Sequence, residues 1–586
     1  MTELPPGTKD TLADHVWHKR YRVEGEGDQD ASFRRVARAI AGTERSEAGN
    51  WEDKFSALMS NRIFLPGGRI LAGAGTRRRV TLFNCFVMGT IEDSIEGIFH
   101  SLQEGAITMQ QGGGIGYDFS TLRPQGKKAK ETGTIASGPV SFMHVWDRMC
   151  ATMLSTGGRR GAMMATLRCD HPDIEQFIDA KREAGALTYF NLSVLVTDKF
   201  LAAIQEDREW PLVFPGAEPD TETVELRWPG LDGPVACSVH RRISARGLWH
   251  RLMRAAYDSA EPGVLFIDRI NRMNNLSYCE RINATNPCGE VPLPPYGACN
   301  LGSINLTKFV RQPFSADATI DEAVLRETVR TAVRLLDDVI DISRFPLPAQ
   351  RCQATGSHRI GLGIMGLADA LVMLGMRYDS EEARSAAQRA MRLICHEAYR
   401  ASIELAHEKG TFPLFDRERY LAAPFILALP DDIRDGIARH GIRNSHLTAI
   451  APTGSISLVA GGISSGLEPL LASEVERKIL QDDGSWREFT STSASVRLWQ
   501  SEHAGLPPAF VSLGEIAPKD QLAMQAVLQP HVDNAISKTL TVPEDFPYEA
   551  FDELYRQANA LGLKGCTAFR PGGVRACLAK PAGQPS

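Results

Sequence analysis

Asn286-Pro287-Cys288-Gly289-Glu290, followed by Cys299 on the same proline-rich stretch, sets a thiol between a carboxamide and a carboxylate. Asn286, Cys288 and Glu290 stand two residues apart, and on an extended segment such positions project from one face. The spacing therefore predicts a one-face constellation for work on a single small substrate: a thiol, a hydrogen-bonding amide and a general base. A lone Cys-Gly pair is more often a buried structural cysteine in a proline-bounded turn. Other segments of the chain reverse that weighting, because they supply partners for the same chemistry.

At 586 residues the chain exceeds the size at which one hydrophobic core stops growing. One large catalytic unit with appended pieces, or two to three domains, is expected. Lys and Arg number 65 against 71 Asp and Glu, a net charge of −6. That balance gives no reason to invoke nucleic acid or an anionic membrane surface. The runs Arg77-Arg78-Arg79 and Lys127-Lys128-Ala129-Lys130 are short enough to be solvated loops. Met1 to Arg20 has no apolar core of a secretory signal, and no apolar run approaches a membrane span. Eleven cysteines at irregular spacing, with no Cys-x-x-Cys, predict reduced thiols in the cytoplasm and no zinc site.

Residues 31–60 carry helical spacing, with Phe33, Val36, Ile40, Phe55 and Leu58 on the apolar positions. Arg62 to Gly68 then breaks the helix, and Val80 to Met88 reads as a buried strand. A helix is predicted next, with Glu92-Asp93-Ser94 in its first turn and Ile91, Ile95, Ile98, Phe99, Leu102 and Ile107 on one stripe. Further on, Thr188–Thr197 and Gly263–Asp268 read as strands; Ile174–Arg182, Leu248–Ser259 and Asp321–Ile342 read as helices. Pro211–Pro219 and Glu290–Pro295 read as loops. This alternation predicts an α/β core.

Three further segments bear on chemistry. Cys85 follows Asn84 in the predicted strand, where a small apolar filler is the ordinary role. If it faces Cys299, two thiols in reach of one substrate can deliver two electrons and close as a disulfide. Ala451-Pro452-Thr453-Gly454-Ser455-Ile456-Ser457 places hydroxyls and a glycine just before a helical stretch. That is either an anion site or a simple N-cap, and the absence of a Walker lysine excludes a P-loop. Gly361-Leu362-Gly363-Ile364-Met365-Gly366 fits the dinucleotide pattern, but the polar Arg344–Arg359 precedes it where a strand is required. Tight packing before a helix at Gly366–Gly375 is expected instead. Asp170-His171 and His396-Glu397 lack metal-site spacing, and a capping or surface role is expected for both.

Taken together, the segments resemble the ribonucleotide reductases, and within them the adenosylcobalamin-dependent class II ribonucleoside-diphosphate reductases. The resemblance rests on Leu65-Pro66-Gly67-Gly68-Arg69, Asn84-Cys85-Phe86, Gln111 to Gly116, and Cys169-Asp170-His171-Pro172-Asp173. It continues through Asn283 to Glu290, Ala298-Cys299-Asn300-Leu301, Arg359 to Asp369, and Ala451 to Pro469, covering about Ser32 to Arg570. Asn-Pro-Cys-Gly-Glu with its downstream Ala-Cys-Asn-Leu is the most specific element.

The resemblance implies a ten-stranded α/β barrel of two five-stranded parallel half-barrels, with a central finger loop carrying Cys288. It divides the chain into an N-terminal helical segment (1–60), the catalytic barrel (61–570) and a flexible C-terminal tail (571–586). It implies Cys288 as the thiyl radical that removes the 3′-hydrogen, Glu290 as base for the 3′-hydroxyl, and Asn286 as holder of the sugar hydroxyls. Cys85 and Cys299 become the reducing pair. Pro452, Thr453, Gly454, Ser455 and Ile456 hold the diphosphate, while Gly67, Gly68, Asn84, Gly114, Pro287 and Gly289 line the nucleotide site; no metal ligands are implied. The substrate is a ribonucleoside diphosphate and the cofactor adenosylcobalamin. No tyrosine occurs after Tyr555, as a class I relay would need, and Arg570-Pro571-Gly572-Gly573-Val574 is not a glycyl-radical element. A thioredoxin-like or small dithiol reductant is implied, since only Cys566 and Cys577 stand near the C-terminus. A deoxynucleotide or ATP effector at a homodimer interface, with the Glu92–Ile107 helix as contact, completes the expectation. The competing reading is a non-catalytic nucleotide-binding or regulatory subunit of a split reductase.

Overall fold

The computed structural model describes residues 11–571 except 45, 128–134, 156–158, 184, 217–219 and 481–484, together with 579–581. The expected flexible tail thus lies largely outside the described residues, although Ala579–Pro581 pairs antiparallel with Glu474–Leu480. The N-terminal part is helical: α1 (Leu12–Arg20), α2 (Gln29–Ala41) and α3 (Ala48–Ser60). Thr11 and Asp28 cap the first two through their side-chain oxygens. The buried face of α2, including Phe33, Val36, Ala37 and Ile40, packs against α3 through Phe55 and Met59. The stretch expected only to break a helix instead forms a short strand, β1 (Phe64–Pro66), and a one-turn helix, α4 (Gly68–Gly73).

Nine further strands join β1 in one sheet: β2 (Cys85–Val87), β3 (Gly114–Asp118), β4 (Met163–Arg168), β5 (Phe190–Val196), β6 (Gly263–Phe266), β7 (Ala298–Asn305), β8 (Ile360–Met365), β9 (Thr539–Thr541) and β10 (Gly565–Phe569). Strands β2, β3, β4, β5 and β6 form five parallel neighbours. A second set contains the parallel pairs β7–β8 and β9–β10. Antiparallel pairing joins the two sets at β7–β2 and β6–β10, and β1 adds antiparallel to β7. Isolated parallel bridges, Leu362–Thr448 and Ile450–Ile536, lie between β8 and β9 where a continuous ladder is missing. The result is a mixed α/β architecture with a largely parallel sheet, as the alternation predicts, but its ladders do not close a ring.

Helices cover this sheet. In α5 (Ile95–Gln110), Ser94 is the N-cap and accepts from the Gly97 amide at 3.0 Å, so Glu92 and Asp93 precede the helix rather than fill its first turn. Ile98 is buried, whereas Ile95 and Phe99, expected on the same stripe, are 59% and 49% exposed. In α6 (Glu322–Ile342), Leu325, Val329, Ala332, Val333, Leu336 and Val339 face the core; Asn300 of β7 donates to the Leu336 carbonyl at 2.8 Å.

Three local expectations are corrected. Only Cys85–Val87 of the predicted strand 80–88 is extended in the sheet, because the preceding residues turn: the Phe83 amide bonds the Thr81 hydroxyl at 3.2 Å. Glu209–Pro215 is a strand despite Pro211 and Pro215, since it lies at the edge of its three-stranded sheet, where a missing N–H is tolerated. Gly361 and Gly363 lie inside β8, a strand not expected there, although the expected helix does follow at Leu367–Met373 with Gly366 as its N-cap. They serve close packing all the same: a Cβ on Gly363 would meet the Ala449 carbonyl oxygen at 2.2 Å.

Candidate active site

The Cys288 segment is the tip of a hairpin in which Ala284–Thr285 pairs antiparallel with Pro292–Leu293. It is a turn, not the extended stretch its spacing suggests: Gly289 takes φ 81° and its amide bonds the Asn286 carbonyl at 3.1 Å. The tip is closed further by the Val291 amide on Asn286 Oδ1 at 3.0 Å. Thr166 on β4 donates to the Asn283 carbonyl at 2.8 Å, and Asn191 on β5 donates to the Pro287 carbonyl at 2.7 Å. Gly116 on β3 permits the closest approach, for a Cβ there would lie 1.9 Å from the Thr285 carbonyl oxygen. On the other side, the Ala535 amide holds the Glu290 carbonyl at 2.9 Å.

Around this tip lies a cavity of about 290 Å³, close to the lower end of small-ligand sites. Asn286, Pro287, Cys288 and Glu290 line it, together with Cys85 and Asn84. Gly67, Gly68, Gly114 and the run Pro452 to Ile456 line it as well. Two expected residues stand off the wall: Gly289 shapes the turn, and Cys299 lies buried behind Cys85. A separate depression between Glu175, Arg182 and Arg251 contains none of the expected residues.

Cys85 on β2 and Cys299 on β7 are directly opposed in antiparallel register. Such partners have Cα atoms about 4.5–5.5 Å apart, inside the roughly 4.4–6.8 Å window for a disulfide. Both are free thiols. Asn286 Nδ2 donates to Cys85 Sγ at 3.1 Å, and Cys85 Sγ lies 3.8 Å from Glu290 Oε1. The other carboxylate oxygen of Glu290 is buried without a partner.

Burial dominates the electrostatics. It lifts Glu290 to about 7, against the opposing hydrogen bonds of Asn286 and Cys85. It also pushes the buried Cys85 and Cys299 thiols well up, and enclosure by the site walls raises the Cys288 sulfur although that residue is open to solvent; the nearby Glu290 carboxylate adds to the effect at all three. At Cys299 the Arg359 guanidinium pulls the other way. Cys288 alone of the three is exposed, toward the cavity it lines. Nucleophilic and metal-binding cysteines work as thiolates, and the upward shift of all three thiols works against both roles. The buried carboxylate, poised near neutrality, has the range of a general base.

The Pro452–Ile456 run leads into α7 (Gly454–Val459), whose N-cap, Thr453, takes φ 52°. Arg69 and Tyr21 are among the residues at the site that escaped the sequence reading. Arg69, next to Gly67-Gly68, is the one cation among the described residues lining the cavity. Tyr21, at the end of α1, donates to Ser455 Oγ at 2.6 Å. Arg69 had a signal in its position beside two expected substrate glycines; Tyr21 had none. The supposed metal bait is structural and buried rather than superficial. His171 Nε2 donates to the Leu122 carbonyl at 2.9 Å, and Glu397 pairs with Arg330 at 2.5 Å. Asp337, Asp338 and Asp341 cluster elsewhere, with Arg443 3.1 Å from Asp337 and Lys409 2.5 Å from Asp338.

Comparison with known proteins bears on this site. The family description "Ribonucleotide reductase, barrel domain" matches residues 83–569, and "Ribonucleotide reductase, all-alpha domain" matches 9–79. The chain is 39% identical over 572 residues to a vitamin B12-dependent ribonucleoside-diphosphate reductase of Mycobacterium tuberculosis, covering 94% of this chain and 76% of that one. A protein of the same name from Thermoplasma acidophilum is 36% identical over 548 residues, covering 90% and 66%. The ribonucleoside-diphosphate reductase subunit alpha of Chlamydia pneumoniae is 28% identical over 475 residues, covering 74% and 45%.

Proposed function

This chain belongs to the ribonucleotide reductases, and we propose that its cavity is the place where a ribonucleoside diphosphate loses its 2′-hydroxyl. The chain reduces ribonucleoside diphosphates to deoxyribonucleoside diphosphates in a vitamin B12-dependent reaction. The observation that carries the site assignment is the convergence of Cys85, Cys288, Glu290 and Asn286 on one cavity, with Cys299 in register behind Cys85. The barrel reading extends the observed sheet: the two sets of strands and the bridges at Leu362 and Ile450 form one ten-stranded barrel around the finger, with 1–60 as a helical segment and 571–586 as a tail.

Adenosylcobalamin, when bound, supplies the radical that oxidises the Cys288 thiol. Cys288 fits that role as the one exposed residue of the three cysteines. Tyr555 does not line the cavity; it is fully buried and its hydroxyl accepts the Ala568 amide at 3.1 Å. The Cys288 thiyl removes the 3′-hydrogen and Glu290 takes the 3′-hydroxyl proton. The 2′-hydroxyl leaves as water with a proton from one thiol of the Cys85–Cys299 pair. The hydrogen of the other thiol goes to C2′ as the pair gives up two electrons and becomes a disulfide; Glu290 then returns its proton to the 3′-oxygen and Cys288 returns the hydrogen to C3′. Asn286 holds the sugar hydroxyls, Pro452 to Ile456 hold the diphosphate, and Arg69 adds the positive charge that a diphosphate requires. A thioredoxin-like or small dithiol re-reduces the pair. The complete set of reacting groups disfavours a regulatory subunit. The test is anaerobic conversion of a ribonucleoside diphosphate with a dithiol, with and without adenosylcobalamin. Turnover without the cofactor discards the cofactor assignment; nucleotide binding without any turnover restores the regulatory reading.

Glu290 gives a pH signature. A base must be ionised to act, so kcat/KM is expected to fall as pH drops through about 7, the value to which burial raises the carboxyl. Glu290→Gln is expected to lose about 10²- to 10⁴-fold and to flatten that limb. An unchanged acid limb in the variant rejects the base role.

The exposed Ile95 and Phe99 on α5 support a homodimer contact with an effector nucleotide beside it. Phe99→Asp is expected to shift the protein toward monomer in analytical ultracentrifugation. A dimer of unchanged strength removes α5 from the interface. Among the described residues no helix is long and apolar enough to cross a membrane.

A further inference from the structure

The N-terminal helices reach the phosphate end of the cavity through Tyr21. Tyr21 is 3% exposed, and its hydroxyl donates to Ser455 Oγ at 2.6 Å across 434 residues of sequence. It also stands against the glycine run on the other side: a Cβ on Gly68 would lie 2.9 Å from the Tyr21 oxygen. Gly68 and Ser455 both line the cavity, whereas Tyr21 stands directly behind them.

The tyrosine is held from its own backbone. Its carbonyl accepts from Arg35 Nη2 at 3.3 Å, and the same nitrogen bonds the Leu71 carbonyl at 3.1 Å. Arg35 Nη1 reaches the Ala74 carbonyl, and Glu26 fixes the guanidinium at 2.7 Å. Leu71 and Ala74 belong to α4 and its C-terminal cap, and Gly68 is the first residue of that helix. One arginine therefore ties the Tyr21 backbone to the helix whose first residue forms the cavity wall. The Tyr21 hydroxyl in turn packs against that wall and hydrogen-bonds the loop that carries Ser455.

We propose that Tyr21 is a positioning residue for the phosphate end of the substrate: it sets the Ser455 hydroxyl and the spacing between the Gly68 and Ser455 walls. By donating to Ser455 Oγ it occupies an acceptor position and polarises that hydroxyl as a donor toward an anion. The inference rests on the diphosphate reading of the Pro452–Ile456 loop. It adds that the N-terminal helical region completes the substrate site.

Tyr21→Phe removes one oxygen and keeps the ring. An ordinary hydrogen bond corresponds to a change in affinity of about 2- to 10-fold. Expected is a rise of that size in Kd and KM for a ribonucleoside diphosphate, with kcat and the Kd of the unphosphorylated nucleoside nearly unchanged. Ser455→Ala should weaken the diphosphate at least as much, and the double variant should be no worse than Ser455→Ala alone. Gly68→Ala, which displaces the hydroxyl sterically, should reproduce the effect. Wild-type diphosphate affinity in Tyr21→Phe overturns the proposal, as does equal weakening of nucleoside and diphosphate or additivity with Ser455→Ala. If the unmodified protein binds diphosphate no better than nucleoside, the diphosphate reading itself falls and the proposal with it.

Discussion

Cys288→Ser is expected to abolish deoxynucleotide formation, by at least about 10⁴-fold, while ribonucleoside-diphosphate affinity stays close to that of the unchanged protein. The substitution is nearly isosteric, so the finger keeps its anchors on Thr166, Asn191 and Ala535. The chemistry changes completely. A thiol S–H bond is comparable in strength to a ribose C–H bond, so hydrogen abstraction by the sulfur runs in both directions. A serine O–H bond is much stronger, and a radical would not be carried at that position. Anaerobic turnover with dithiol and adenosylcobalamin, beside equilibrium binding of the same nucleotide, separates the two effects. Turnover near that of the unchanged protein would discard the radical role, and loss of binding would show that Cys288 shapes the cavity instead.

Cys299→Ser, or Cys85→Ser, is expected to reduce steady-state turnover by on the order of 10²- to 10³-fold with substrate binding retained. The unchanged protein, given substrate and cofactor but no reductant, should lose two titratable thiols for each deoxynucleotide it makes. Peptide mapping should then recover a Cys85–Cys299 bond. Each serine variant should lose neither thiol pair nor form that bond. The prediction rests on direct register between the two strands rather than on proximity alone. A bond to any other cysteine, or full activity in either variant, would break the assignment.

The reactive centre was legible because its residues are adjacent in sequence and chemically unusual together. Asn286, Cys288 and Glu290 do face one cavity, but through a tight turn with Gly289 at positive φ, not by strand alternation. Side-chain spacing alone does not distinguish these geometries. The pairing of Cys85 with Cys299 had to be supplied by tertiary register, which local pattern does not encode. Tyr21 was invisible for the same reason: an ordinary tyrosine at the end of an amphipathic helix carries no mark of the loop it meets 434 residues later. The α/β class followed from alternation, but not the antiparallel joints at β7–β2 and β6–β10, since alternation says nothing of strand order. Pro211 misled because proline marks an edge strand as readily as a loop. The exposed Ile95 and Phe99 show the reverse failure, where an apolar stripe is wider than the core it serves.

Because Cys85 and Cys299 are rungs of one ladder, oxidation asks almost nothing of the main chain. The spacing that the sheet imposes already suits the bond, so closing it calls for side-chain rotation while the inter-strand amide bonds stay in place. Spent and recharged enzyme should therefore superimpose closely, and the rhythm of the cycle would be set by how fast electrons arrive, not by the scaffold having to loosen between rounds.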